Sequence, residues 1–313
     1  MSDSSFSGAN RVSPEFSGPD APVAVRFTYS HDGQSRFRRG LIRSVERLSG
    51  RDALQRLYLD WARHGRREDE TVFDAALRLL DVQIDLRGQA DLARVPRDGG
   101  LLIVANHPFG ILDGLAMGQL AMRLRGNAQI LTNSLLCQVP EIAPHLLPVD
   151  FSGTPEARRL TSATRRRAVD LLAAGKVVVM FPAGGIATAN APVIGRACDA
   201  EWHPFTGRLA TLPGVTTLPV HFQGQNSRLF QIASHVSYPL RVSLIFHETR
   251  RRMGRALPVV LGKPIAAADL ERLPRGEVAG VLRRRTMELS TELTGRPARD
   301  LDESFRWPKH VKW

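Results

Sequence analysis

Between Gly99-Gly100 and Asn106 runs Leu101-Leu102-Ile103-Val104-Ala105, an unbroken apolar stretch of strand length, and no other feature narrows the fold more. A strand apolar at every residue must be covered on both faces, which is the condition of a parallel or mostly parallel sheet between helices. Pro108 ends the strand and Gly110 permits a sharp reversal. Asp113 then stands where a helix N-cap is expected, ahead of Leu115, Leu120 and Leu124. The spacing puts His107 on a loop at the carboxyl end of a buried strand, where open α/β sheets bind their ligands. Imidazole accepts and returns a proton near neutral pH, and a neighbouring carboxylate such as Asp113 would hold its tautomer and favour the imidazolium. A loop histidine beside a helix-capping aspartate is the plainer reading of the same residues.

The rest of the chain alternates strand and helix, so a mostly parallel sheet flanked by helices follows. Residues 1–35 are rich in Ser, Gly, Pro and Asp and read as a tail. Residues 36–80 read as N-terminal helices. Within them 39–48 and 52–62 form an amphipathic pair, with Leu41, Ile42, Val45, Leu54, Leu57, Tyr58 and Trp61 at three- and four-residue spacing, suited to a core or to a membrane interface. Residues 81–295 read as the α/β domain and 296–313 as a C-terminal tail.

Inside that domain, strands are expected at 82–86, 129–132, 146–149, 176–181, 216–222 and 257–261. Helices are expected at 155–174 behind Thr154, at 206–212, after 226–235, and at 277–293 before Gly295. Residues 240–252 suit either a helix or, through Val242, Leu244 and Phe246, a strand. The long connection 183–205 has little pattern, and such segments tend to be functional. Gly184 and Gly185 at its start let backbone approach a ligand, with N–H groups placed to hold a developing oxyanion.

A net charge of +12 and a pI near 10.9 require a partner that carries negative charge. Neither a helix-turn-helix, a zinc spacing nor an aromatic RNA-binding strand is evident, so an anionic membrane surface is expected rather than nucleic acid. Arginine runs at 165–167, 250–252 and 283–285 read as helix faces that would add attraction to that surface. Cys137 and Cys198 show no metal-like spacing and fit a reduced compartment. Neither a signal peptide nor a spanning run is legible, so the expected location is cytoplasmic, peripheral on the inner face of the cell membrane.

Taken together, NHPFGILD (106–113), TNSLLCQVPEI (132–142), LPVDF (147–151), FPAGG (181–185) and PVHFQGQNSRLFQIAS (219–234) resemble, in order, the conserved blocks of the glycerolipid (lysophospholipid) acyltransferase superfamily, closest to its bacterial hemolysin-like branch. The resemblance covers about residues 40–295. It implies a glycerol-3-phosphate acyltransferase-like fold. It also implies transfer of a fatty acyl group from acyl-CoA or acyl carrier protein to a hydroxyl of a lysolipid, with no metal or redox cofactor. By the same resemblance His107 is the general base and Asp113 its partner, while Asn106, Gly110, Asn133, Phe181, Pro182, Gly184 and Gly185 border the substrate.

Two departures from the wider superfamily stand out. Five residues rather than four separate His107 from Asp113, so the loop must bulge for the pair to meet. Ala183 occupies the position of a glutamate, and no arginine follows through Thr188. The second departure favours an acceptor without phosphate, such as a lyso-aminolipid of the ornithine-lipid type. The first is the main support for a peripheral membrane-binding protein that has lost the chemistry.

Overall fold

Alternate side chains of the strand Gly100–Ala105 point to opposite layers of the molecule. Leu101, Ile103 and Ala105 enter one apolar core and Leu102 and Val104 a second, and all five are fully buried. The computed structural model describes residues 27–28, 30, 35–133, 139–150, 153–298, 301–308 and 310–311. Cys137 and parts of the 132–142 and 147–151 blocks lie outside them.

The strands in chain order are β1 (Gln83–Arg87), β2 (Gly100–Ala105), β3 (Ile130–Asn133), β4 (Leu146–Val149), β5 (Val177–Met180), β6 (Thr188–Ala189), β7 (Ala197–Cys198), β8 (Val215–Phe222), β9 (Ala256–Leu261) and β10 (Ile265–Ala266). Eight of these form one sheet in the order β1-β9-β8-β2-β5-β3-β4, with β10 also on β8; β6 and β7 pair as a separate hairpin. Strands β8, β2, β5, β3 and β4 run parallel, whereas β9 and β10 meet β8 antiparallel. The sheet is mostly parallel, and the carboxyl ends of β2 and β5 lie side by side through the register Val104 to Met180.

The helices are α1 (Arg36–Leu48), α2 (Arg51–Asp60), α3 (Val72–Leu79), α4 (Gln89–Leu92), α5 (Ile111–Arg125), α6 (Pro155–Ala173), α7 (Phe205–Ala210), α8 (Arg228–Val236), α9 (Tyr238–Ser243), α10 (Ile245–Arg252), α11 (Ala267–Leu270), α12 (Val278–Glu288) and α13 (Ser290–Thr294). Thr71 caps α3 in a reciprocal box with Asp74, and Thr154 caps α6 through the N–H of Ala157. One layer holds α3 and α5 with α8 to α10; the other holds α6, α7 and α12. Helix α5 is buried nearly all round, and α3 approaches it so closely that a Cβ on Gly118 would lie 2.2 Å from the Phe73 ring.

Residues 240–252 are helical, divided at Leu244 into α9 and α10. The alternation of Val242, Leu244 and Phe246 misleads there because Ser243 and Ile245 between them are buried as well. The helices of 36–80 pack on the helices of one layer, α1 on α9, α2 on α10 and α3 on α5, with Leu54, Tyr58 and Trp61 buried. Phe27, before them, stacks on Phe246. After Gly295 the chain folds back, burying Phe305 and Val311.

Candidate active site

His107 leaves the carboxyl end of β2, and Asp113 lies one turn into α5. The helix starts at Ile111, so the N-cap is Gly110 and not Asp113, which stands three residues further in. From there its Oδ2 reaches back to accept the N–H groups of Phe109 (2.8 Å) and Gly110 (3.0 Å). The same oxygen lies 3.0 Å from Nδ1 of His107, an ion-pair distance whose angle falls short of an aligned hydrogen bond. The extra residue in the spacing is absorbed at Gly110, whose φ of 76° is open only to glycine and whose missing side chain leaves room for Ile186. Asp113 is completely buried, and burial raises its carboxyl pKa; His107 and the two N–H groups act the other way and favour the carboxylate.

With Nδ1 turned to Asp113, Nε2 is the ring nitrogen left for a substrate. Its ring stacks on Phe181 of the FPAGG turn, with centroids 4.1 Å apart, and Ala187 donates its N–H to the carbonyl of His107 at 2.7 Å. The turn after β5 and the loop after β2 therefore form one wall, as parallel neighbours do. Gly184 donates its N–H to the Phe181 carbonyl at 3.0 Å. That donor is spent inside the turn, which leaves the Gly185 N–H without a protein acceptor among the described residues.

His107, Gly110, Asn133, Phe181, Pro182, Gly184 and Gly185 all line one cavity of about 410 Å³. Its remaining wall is mostly apolar: Leu54, Tyr58 and Trp61 of the N-terminal helices, Phe73 of α3, Ile245 and Phe246 of α10. The amphipathic pair thus serves as cavity wall. Asn106 is placed differently. Its Nδ2 donates to the Phe222 carbonyl (2.8 Å) and its Oδ1 accepts the Phe222 N–H (2.7 Å), so both amide ends are spent tying β2 to β8. It lines a second cavity, of about 420 Å³, on the other side of the loop.

That second cavity is polar and holds Asp199, His221 and Arg283. Asp199 Oδ1 accepts the backbone N–H of His107 (3.2 Å) and Oδ2 the indole N–H of Trp202 (3.0 Å). Burial pushes its carboxyl up to about 6. Burial pushes the His221 imidazole down to about 4, against the opposing bond to Gln223. Each arginine run sends one member inward: Arg165 over Phe205, Arg252 over Phe109 at 3.8 Å, and Arg283 to the carbonyls of Leu301 and Glu303.

A family model described as Acyltransferase matches residues 67–289, which takes in the sheet, both site loops and the helices around them. The chain belongs to this acyltransferase family. It is also similar to two proteins named lyso-glycine lipid O-acyltransferase, from Phocaeicola vulgatus and Bacteroides thetaiotaomicron. Each is 26% identical over 199 residues, covering 61% of this chain and 67% and 69% of theirs. The acyltransferase thus carries its His–Asp pair at the sheet end where its fold class places chemistry.

Two residues of the site are silent in the sequence. Asp199 sits in a long connection where nothing but length singles it out. Arg241, in the segment that suited helix and strand equally, is fully buried and lines the apolar cavity. A spatial contact and not a local pattern makes each of them part of the site.

Proposed function

We propose that this acyltransferase moves a fatty acyl group from a thioester donor, acyl-CoA or acyl carrier protein, to a hydroxyl of a lysolipid. The observation that carries the reading is the His107–Asp113 pair beside a mostly apolar cavity of about 410 Å³. Nε2 of His107 takes the proton of the acceptor hydroxyl as its oxygen attacks the thioester carbonyl. The Gly185 N–H faces the developing oxyanion. Collapse breaks the C–S bond, and the imidazolium returns its proton to the leaving thiolate. Asp113 holds the ring and balances its transient charge. The thioester supplies the leaving group, so the step draws on no metal or redox cofactor.

The names of the two relatives and the absence of an arginine after FPAGG favour an acceptor built on an amino acid over a glycerol phosphate. The His–Asp pair is in contact despite its longer spacing, which counts against the reading of a membrane-binding protein without chemistry. Incubating the purified protein with acyl-CoA or acylated carrier protein and a panel of lysolipids, with mass spectrometry of the products, tests the proposal. Diacyl product from the wild type and none above background from His107→Ala is the expected outcome; no product with either donor would sink it.

The lipid is reached from a membrane surface at the inner face of the cell membrane. No helix among the described residues is long and apolar enough to cross a bilayer. Instead, Phe37, Leu41 and Leu48 on α1 and Leu229, Ile232 and Val236 on α8 are exposed, and both helices pack against α9. Val193 and Ile194 extend the α8 stripe, held by Arg228 through the Ile194 and Gly195 carbonyls. Apolar residues set among arginines suit an anionic interface. Co-sedimentation with phosphatidylglycerol vesicles should be strong at low salt and fall as salt rises; binding that ignores salt and resists carbonate would mean that apolar insertion dominates.

A further inference from the structure

The Arg241 guanidinium is buried in the wall of the apolar cavity with no carboxylate in ion-pair reach among the described residues. Nη1 donates to Thr188 Oγ1 (2.5 Å) and Ser234 Oγ (2.8 Å), and Nη2 to the Ile186 carbonyl. Three of its five N–H donors are thereby used, and Nε–H with one Nη2–H remains for a ligand. The Phe230 and Trp307 rings, each centred 4.9 Å from Cζ, cover the cation without neutralising it. An arginine that deep keeps its charge at a cost that a bound anion would relieve, and burial lowers its pKa to about 9.

Its position gives that charge a use. Ile186 and Thr188, which it holds, follow directly on FPAGG, and the Ala187 between them is bonded to the His107 carbonyl. The cation missing from the sequence after FPAGG is thus supplied in space from α9. Its two free donors match the two oxygens of a carboxylate.

We propose that Arg241 receives the carboxylate of an N-acylated amino acid acceptor, setting that lipid's hydroxyl towards His107. The inference rests on the acceptor reading above and names its substrate class. Arg241 acts as a specificity residue and takes no part in bond making.

The test uses the full-length protein and three ligands of equal chain length: an N-(3-hydroxyacyl)glycine, its methyl ester and a 1-acylglycerol 3-phosphate. Binding is read by calorimetry and acyl transfer separately by mass spectrometry. The free acid should bind roughly ten- to a hundredfold more tightly than the ester, the range for a charge-assisted hydrogen bond. Arg241→Gln should bring that ratio close to one, and Arg241→Lys should retain part of it. Equal binding of acid and ester by the wild type, or a ratio untouched in Arg241→Gln, means that Arg241 merely clamps the 186–188 turn and overturns the inference. Tighter binding of the phosphate overturns the carboxylate class. If Arg241→Gln does not fold, the wild-type ratio and Arg241→Lys decide. Acid preference lost with Arg241, but without acyl transfer to any ligand, supports the anion site and counts against the acceptor reading instead.

Discussion

The two cavities on either side of the 106–108 loop are nearly equal in volume, but one is walled almost wholly by apolar side chains and the other is much richer in polar groups. The apolar one keeps its ionisable groups beside partners: Asp113 against His107 and two backbone N–H groups, Arg241 among three oxygen acceptors. Burial pushes ionisable groups towards their neutral forms in both cavities, Asp113 and Arg241 in the first and Asp199 and His221 in the second, but only Asp113 has an imidazole at ion-pair distance. The difference separates tasks. The first cavity has a base, a carboxyl beside it and room for a chain, while the second holds the loop through the Asn106 amide and the Asp199 carboxyl, whose oxygens are taken by the His107 and Trp202 N–H groups.

The largest expected effect lies in the apolar cavity. His107→Ala should lower acyl transfer by roughly 10²- to 10⁴-fold, with little change in melting temperature, since a positioned base is worth about that much. Activity near wild type would end the division of labour between the cavities. Asp113→Asn comes next. Its side-chain oxygen can still accept the Phe109 and Gly110 N–H groups, so the helix start survives, but the charge facing His107 is gone. Turnover should fall on the order of 10²-fold at nearly constant stability. Full turnover would leave Asp113 as no more than the acceptor of the Phe109 and Gly110 N–H groups and His107 as an unassisted base.

The polar cavity is tested by pH. A carboxyl raised to about 6 in the fold binds its proton more tightly than in the unfolded chain, so Asp199 costs stability progressively as pH rises from about 4 through 6. An imidazole lowered to about 4 has the opposite sign, because the unfolded chain protonates first and stability falls as pH drops from about 6.5 through 4. Each shift is worth on the order of 3 kcal/mol, and over pH 4 to 6 they largely cancel. Urea melts across that range should therefore change little from these two groups in the wild type. In His221→Gln, stability should fall as pH rises from 4 to 6; an unchanged profile would show that Asp199 is not buried as an acid.

The smallest effect concerns chain length. A Cβ on Gly114, in the apolar cavity wall, would meet nothing within 4 Å, so the side chain of Gly114→Leu starts from open space and should narrow the cavity. Each excluded methylene costs about 0.8 kcal/mol, or about fourfold, and preference should shift to shorter acyl chains. Ser290→Leu, which narrows the polar cavity, should leave the chain-length profile in place. A shift from Ser290→Leu and none from Gly114→Leu would exchange the roles of the two cavities.

Much of this architecture is legible in local pattern. The all-apolar β2, the Thr154 cap of α6, and the turn after β5 depend on residues close in sequence, and a parallel sheet puts the carboxyl ends of β2 and β5 at the same edge, while the crossover past β3 and β4 makes them neighbours. From the sequence alone, His107 at a strand end, FPAGG in a turn and the strand–helix alternation follow. The exact partner of each side chain does not. Asp113 reads as a helix cap by spacing, and only the reversal at Gly110 moves it inside the helix and against His107. Asn106 reads as a substrate neighbour until β8, 116 residues away, takes both ends of its amide. Arg241 has no pattern at all, since its meaning comes from Ile186 and Thr188, more than fifty residues earlier. Backbone preference and apolar period act over a few residues and are written locally, whereas burial, charge compensation and cavity shape are sums over residues that only the folded chain brings together.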